Sequence, residues 1–184
     1  ARTNNQALVA GMGTGFNICL VRHTGAGATV IEAELGHSSL PASVMSALHA
    51  AIGAAAGRFT TAEAVFSGPG LMRLDAAVSG AAGRRGSETL AAYRSGVPTP
   101  VIPLMARLMG LMARQLVFLY RPQDGIYFAG GMARGVLSSA ARESFRRTFE
   151  EPGEVADLIA GIPLFMITDD AAALTGAARL LAAG

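Results

Sequence analysis

The order in which apolar patterns change along the 184 residues predicts an α/β fold: a mixed sheet with helices on both faces. Three observations carry that reading. Short strand-like runs joined by glycine turns open the chain, segments of helical period fill its middle, and two short apolar runs near the end each lead into a helix. One domain spanning 1–184 accommodates all of them, since a chain of this length buries a sizeable core.

The first two strands flank residues 11–15, Gly-Met-Gly-Thr-Gly, and a third covers 28–31 after a turn at 24–27. Together they make an antiparallel three-strand meander. Residues 32–38 follow as a polar loop. A helix is predicted over 41–56, because Pro41 suits a first turn, Val44, Leu48, Ala51, Ile52 and Ala55 share a face, and Gly57 ends it. Ser67-Gly68-Pro69-Gly70 opens a helix over about 71–78, and Ser87 caps another that ends near Gly96. The longest helix, 103–120, has apolar residues around most of its circumference and belongs deep in the core. Residues 126–129 lack alternation, as a covered strand does, and run through Gly130-Gly131 into a helix reaching about 149. A short helix at 154–160, a buried strand at 163–167 and a last helix at 171–181, capped by Asp169-Asp170, complete the chain.

Composition narrows the function classes. Apolar residues make up 51% and charged ones 15%, which excludes a disordered chain. The net charge of +2 is too small, and its basic residues too scattered, to argue for nucleic acid or a membrane surface as partner. Cys19 is the single cysteine, so no disulfide closes within the chain, and its apolar setting suggests a buried, inert thiol. Arg107, Arg114 and Gln115 interrupt the longest apolar stretch and favour a buried helix over a membrane span. A cytoplasmic setting is expected. The opening Ala-Arg-Thr-Asn-Asn lacks an initiator Met and reads like a cut inside a larger protein.

Three places could carry chemistry. At Gly11, Gly13 and Gly15 the backbone can take positive φ, and successive N–H groups can then hold an anion with help from the Thr14 hydroxyl. The same glycines also suit an ordinary tight hairpin. Glu34 and His37, three residues apart across Gly36, can point into one pocket, and Glu63 could add a second carboxylate; such acceptors suit a polyol, or else simply a solvated loop. Gly130-Gly131, between a buried strand and a helix, allows a nucleotide close approach or serves only as a tight turn.

Read in order, Ala-Gly-Met-Gly-Thr-Gly-Phe-Asn (10–17), Glu-Leu-Gly-His (34–37), Glu-Ala-Val-Phe-Ser-Gly-Pro-Gly-Leu (63–71), Tyr-Phe-Ala-Gly-Gly-Met (127–132) and the closing stretch 163–178 resemble the bacterial glucokinase family. The resemblance covers essentially the whole chain and implies a ribonuclease-H-like, actin-type ATPase lobe. It implies transfer of the ATP γ-phosphate, with Mg²⁺, to the 6-hydroxyl of glucose. Glu34, His37 and Glu63 would then bind sugar hydroxyls, Gly11, Gly13, Thr14 and Gly15 the nucleotide phosphates, and Gly130 and Gly131 the adenosine.

The likeness runs to the family's larger, C-terminal lobe. The other lobe's Asp-x-Gly-Gly-Thr motif, and the Asn-Asp-Phe segment whose aspartate is the family's base, are not among these residues. No catalytic residue or metal ligand is therefore assigned in this chain. Phe16-Asn17 also departs from the family's apolar residue followed by glycine. A non-catalytic sugar- or nucleotide-binding regulator, or a kinase for another hexose, remain alternatives. The family often forms dimers, so a homodimer is possible.

Overall fold

The opening strands form the meander that their glycine-separated apolar runs predict. A computed structural model describes residues 3–25, 27–169 and 171–183. Strands β1 (Gln6–Met12), β2 (Phe16–Thr24) and β3 (Gly27–Glu32) are followed by a 3-10 turn at Leu35–His37 and helix α1 (Ala42–Ile52). Then come α2 (Ala62–Val65), α3 (Gly68–Ser79), α4 (Gly86–Arg94) and α5 (Val101–Tyr120). The chain closes with β4 (Gly125–Ala129), α6 (Gly131–Leu137), α7 (Arg142–Phe149), α8 (Ala156–Ala160), β5 (Leu164–Met166) and α9 (Ala172–Ala183).

The sheet order is β3-β2-β1-β4-β5. β1 pairs antiparallel with β2 and parallel with β4, so Val9 lies opposite Cys19 on one side and Tyr127 on the other. Side chains alternate faces along each strand. Leu8, Ala10, Met12, Phe16, Ile18, Leu20, Ile126 and Phe128 are buried in the core. The opposite face, with Val9, Cys19, Val21 and Tyr127, is half-buried, so cover is heavy on one side and light on the other. Tyr127 stacks there on Phe165, their ring centroids 4.6 Å apart.

α5 is the inner helix. Ile102, Met105, Leu108, Met109, Met112 and Leu116 are buried along it, each contributing about 1.5–3 kcal/mol of apolar burial. Its 20 residues are long and apolar enough to cross a bilayer, but 61% of its most apolar window is already buried inside the fold, as in a core helix.

Two predicted helices are shorter than their patterns. α1 stops at Ile52 because Gly53 takes φ +56°, and residues 53–58 continue as a 3-10 turn. The helix expected from Gly131 to about 149 divides into α6 and α7. Between them the Ser139 hydroxyl donates to the Val136 carbonyl and accepts from the Ala141 N–H, replacing helical backbone bonds. Asp169 caps the last helix by accepting from the Ala171 N–H at 2.8 Å. Asp170, the second expected cap residue, and Ala26, in the expected turn at 24–27, lie outside the described residues.

Arg84, between α3 and α4, has a structural use. Asp75 on α3 is 3% exposed, and its carboxylate accepts from the Arg84 backbone N–H, Nε and Nη2 at 3.1, 3.2 and 3.3 Å. The hydrogen bond to Asp75 raises the pKa of the Arg84 guanidinium. Replacing Asp75 by alanine leaves those donors without their acceptor. The variant is expected to melt roughly 5 °C lower by calorimetry; an unchanged midpoint would contradict the structural role assigned to the pair.

Cys19 sits in the half-buried face, where burial pushes its thiol pKa up against a smaller opposing effect of the Val9 backbone. Less of it is thiolate than in a free cysteine at the same pH. Iodoacetamide should therefore alkylate it severalfold more slowly than free cysteine at pH 8; an equal rate would show the face to be open.

Candidate functional site

The β1–β2 hairpin turns over residues 13–15, with Met12 paired to Phe16. None of Gly11, Gly13 and Gly15 takes positive φ, contrary to the conformational argument for them. What glycine supplies here is room. A Cβ on Gly15 would lie 2.6 Å from the Glu63 carboxylate, whereas one on Gly13 would meet nothing within 4 Å. The Gly13 N–H donates to the Gly15 carbonyl at 2.9 Å, so one donor of the expected anion nest is used inside the turn. Thr14 is exposed at the tip.

Two other segments close on this turn. The Gly68 N–H, at the start of α3, donates to the Gly13 carbonyl at 2.7 Å. Ser67 caps α3, accepting from the Gly70 N–H at 3.0 Å while its hydroxyl donates to the Glu63 carbonyl at 2.8 Å. Gly130 precedes α6 at φ +94°, and a Cβ there would stand 2.5 Å from the Met12 carbonyl oxygen and 3.1 Å from the Gly13 nitrogen. Gly131, one residue on, is exposed and has open space where its Cβ would be. The hairpin tip, α3 start and α6 start thus share one backbone junction.

The polar cluster adjoins it. Glu63, in the first turn of α2, accepts the Phe16 N–H on its Oε2 at 3.1 Å. Thr61 caps that turn through the Ala64 N–H, and Phe66 packs its ring 5.5 Å from that of Phe16. The 3-10 turn carrying His37 lies against the same strand, since a Cβ on Gly36 would collide with the Phe16 carbonyl oxygen. Glu34 Oε2 accepts from Asn17 Nδ2 at 3.1 Å and lies 4.0 Å from His37 Nε2. The side chains of Glu34 and His37 are 79% and 77% exposed, so both are open to a ligand. Glu34, His37 and Glu63 therefore gather around Phe16 and Asn17, the two residues after the tip. A separate hollow of about 930 Å³, lined by Phe145, Ile159 and Leu164 among others, contains none of them.

Sequence reasoning placed Ser67 at a helix entry, where the structure finds it, and marked Asn17 only as a departure from the family pattern. A serine immediately before Gly-Pro-Gly is a recognisable helix cap; its hydrogen bond to the Glu63 carbonyl has no such signal. The partners of Asn17 beyond its own strand, Glu34 and Leu35, are 17 and 18 residues away in the sequence.

A βββ meander followed by two strand–helix units in one mixed sheet is the architecture of the actin-like ATPase fold. Solved structures with this architecture include a glucokinase from an Antarctic psychrotroph (TM-score 0.79, 25% identity, covering 100% of this chain and 60% of that one). A ROK-family glucokinase from Streptomyces griseus, in complex with glucose and AMPPNP, matches at TM-score 0.68 and 22% identity, covering 100% of this chain and 62% of its own. The model of the Glucokinase family matches residues 1–183, and the chain belongs to that family. A glucokinase of Aromatoleum aromaticum is 30% identical over 181 residues, 93% of this chain and 54% of that protein. One of Nitrobacter hamburgensis is 29% identical, over 98% and 59%. The chain thus spans little more than half the length of the curated relatives it matches.

Gly130 and Gly131 separate close packing from open space. Gly130→Ala is strained both by φ and by the Met12 carbonyl, and is expected to lose about 1–3 kcal/mol in urea unfolding. Gly131→Ala should stay within about 0.5 kcal/mol of the parent. Equal losses from the two would refute the junction as described.

Proposed function

We propose that this chain is the larger, substrate-holding lobe of an ATP-dependent hexose kinase that phosphorylates glucose at its 6-hydroxyl. The observation that carries the reading is the convergence of Glu34, His37 and Glu63 on Phe16-Asn17, directly beside the hairpin tip. Carboxylates accept hydroxyl hydrogens, and the Glu34 carboxylate is exposed for that use. Glu63 already holds the Phe16 N–H on one oxygen, leaving the other to face a sugar. Open backbone at Gly13 and Gly131, with the exposed Thr14 hydroxyl between strands, suits the phosphates and adenosine of ATP.

Magnesium fits as a companion of the nucleotide. It binds through one or two carboxylates plus substrate phosphates rather than in a protein cage, and no cluster of three metal-ligating side chains occurs among the described residues. When bound it would neutralise charge on the transferring phosphoryl group. Glu34 and Glu63 are read as acceptors at the sugar; the base that receives the 6-hydroxyl proton is assigned, on the family resemblance alone, to the aspartate of the Asn-Asp-Phe segment, which no stretch of these residues matches. A general base contributes about 10²–10⁴-fold. The protein is read as cytoplasmic, with a second copy as an optional partner.

Calorimetry with glucose, mannose, galactose and fructose, followed by coupled phosphorylation assays beside a full-length family member, tests this. Glucose should bind, Glu34→Ala should weaken it at least tenfold, and turnover by the chain alone should be at most about 1% of the full-length rate. Preference for another hexose would move the substrate. Comparable turnover would overturn the assignment of the base, and no binding to any hexose would overturn the site.

A further inference from the structure

We infer that Asn17 is a positioning residue for Glu34, fixing the carboxylate through which the hexose is held. The inference rests on the reading of Glu34 as a hexose ligand. The Asn17 Oδ1 accepts two backbone N–H groups, from Ile18 at 2.9 Å and Leu35 at 3.0 Å. Its Nδ2 donates to Glu34 Oε2 at 3.1 Å. This orientation of the amide is forced by its partners: the reversed group would set NH₂ against two N–H donors and a carbonyl oxygen against a carboxylate.

The consequence for Glu34 follows from its exposure. A side chain 79% open to water samples many rotamers, and a ligand that requires one of them must bear the loss of the rest. Asn17 removes part of that loss beforehand. It is well suited to do so because its own backbone is held in β2, paired with Gly11. One carboxamide therefore does two jobs: its oxygen fastens the start of the Leu35–His37 turn to the strand, and its nitrogen orients the carboxylate beside that turn. Glu34 Oε2 is occupied by this contact, which directs Oε1 toward the sugar.

The aspartate variant separates the two jobs. Asn17→Asp keeps an acceptor for the Ile18 and Leu35 N–H groups but replaces the donor to Glu34 with a second negative charge. We expect the Leu35 amide to retain slow hydrogen exchange in N17D and to lose it in N17A. Glucose affinity should fall about tenfold or more in both. In the Glu34→Ala background, N17D should change affinity by less than about twofold, because the group it acts through is gone.

Parental affinity in N17D, or an undiminished effect of N17D in the Glu34→Ala background, overturns the inference. If glucose does not bind the parent chain, or Glu34→Ala leaves binding intact, the functional reading fails instead. The contact itself is then read without sugar. The Asn17 side-chain NH₂ resonances should shift on Glu34→Ala, and unshifted resonances would overturn the positioning role.

Discussion

The close backbone approach around the β1–β2 turn is the constraint on which the rest depends. The Gly68 N–H holds the Gly13 carbonyl, the Glu63 carboxylate holds the Phe16 N–H, and Gly130 lies against Met12 and Gly13 with no space for a side chain. These contacts come from three segments separated by about fifty residues or more in sequence. Each is short because at least one participant has no Cβ or offers a carboxylate in place of one. Buried N–H and carbonyl groups need partners, so a displaced tip would leave several of them unmatched at once. The same packing that holds this end of the two interior strands β1 and β2 thus sets the distance between the proposed sugar ligands and the proposed nucleotide cradle.

Much of the fold could be read from pattern. The meander, the core character of α5 and the two late strand–helix units follow from period and punctuation alone, because each is specified by residues near one another in the chain. Boundaries set by competition were less legible. The positive φ of Gly53 ended α1 early, and the Ser139 hydroxyl divided a helix whose apolar period runs on through it. Similarly, no local pattern links Arg84 to Asp75, nine residues earlier and buried on α3.

The site was legible in its parts but not in its joinery. Glu34, His37 and Glu63 were recognisable as acceptor chemistry at turns, and the glycines as places of close approach. Their mutual placement depends on contacts with no local signature, such as Gly36 on the Phe16 carbonyl and Asn17 on Leu35. The hairpin glycines illustrate the difference. Sequence suggests conformational freedom, yet none of the three has positive φ, and Gly15 instead makes space for a carboxylate that arrives from α2.

Exposure decides what such a site can do by itself. Hydrogen bonds from a sugar to Glu34 and His37 form in competition with water, since both side chains are more than three-quarters open. That is compatible with recognition, because several modest bonds in fixed geometry discriminate among hydroxyl patterns. Phosphoryl transfer asks for more: water must be kept from the γ-phosphate, and charge stabilisation is strong only where the surroundings are dry. A surface that offers positioned acceptors and open backbone, but little enclosure, favours recognition over transfer. Binding and chemistry are then separable properties of the proposed site: affinity depends on how its acceptors are positioned, and rate on how dry their surroundings become.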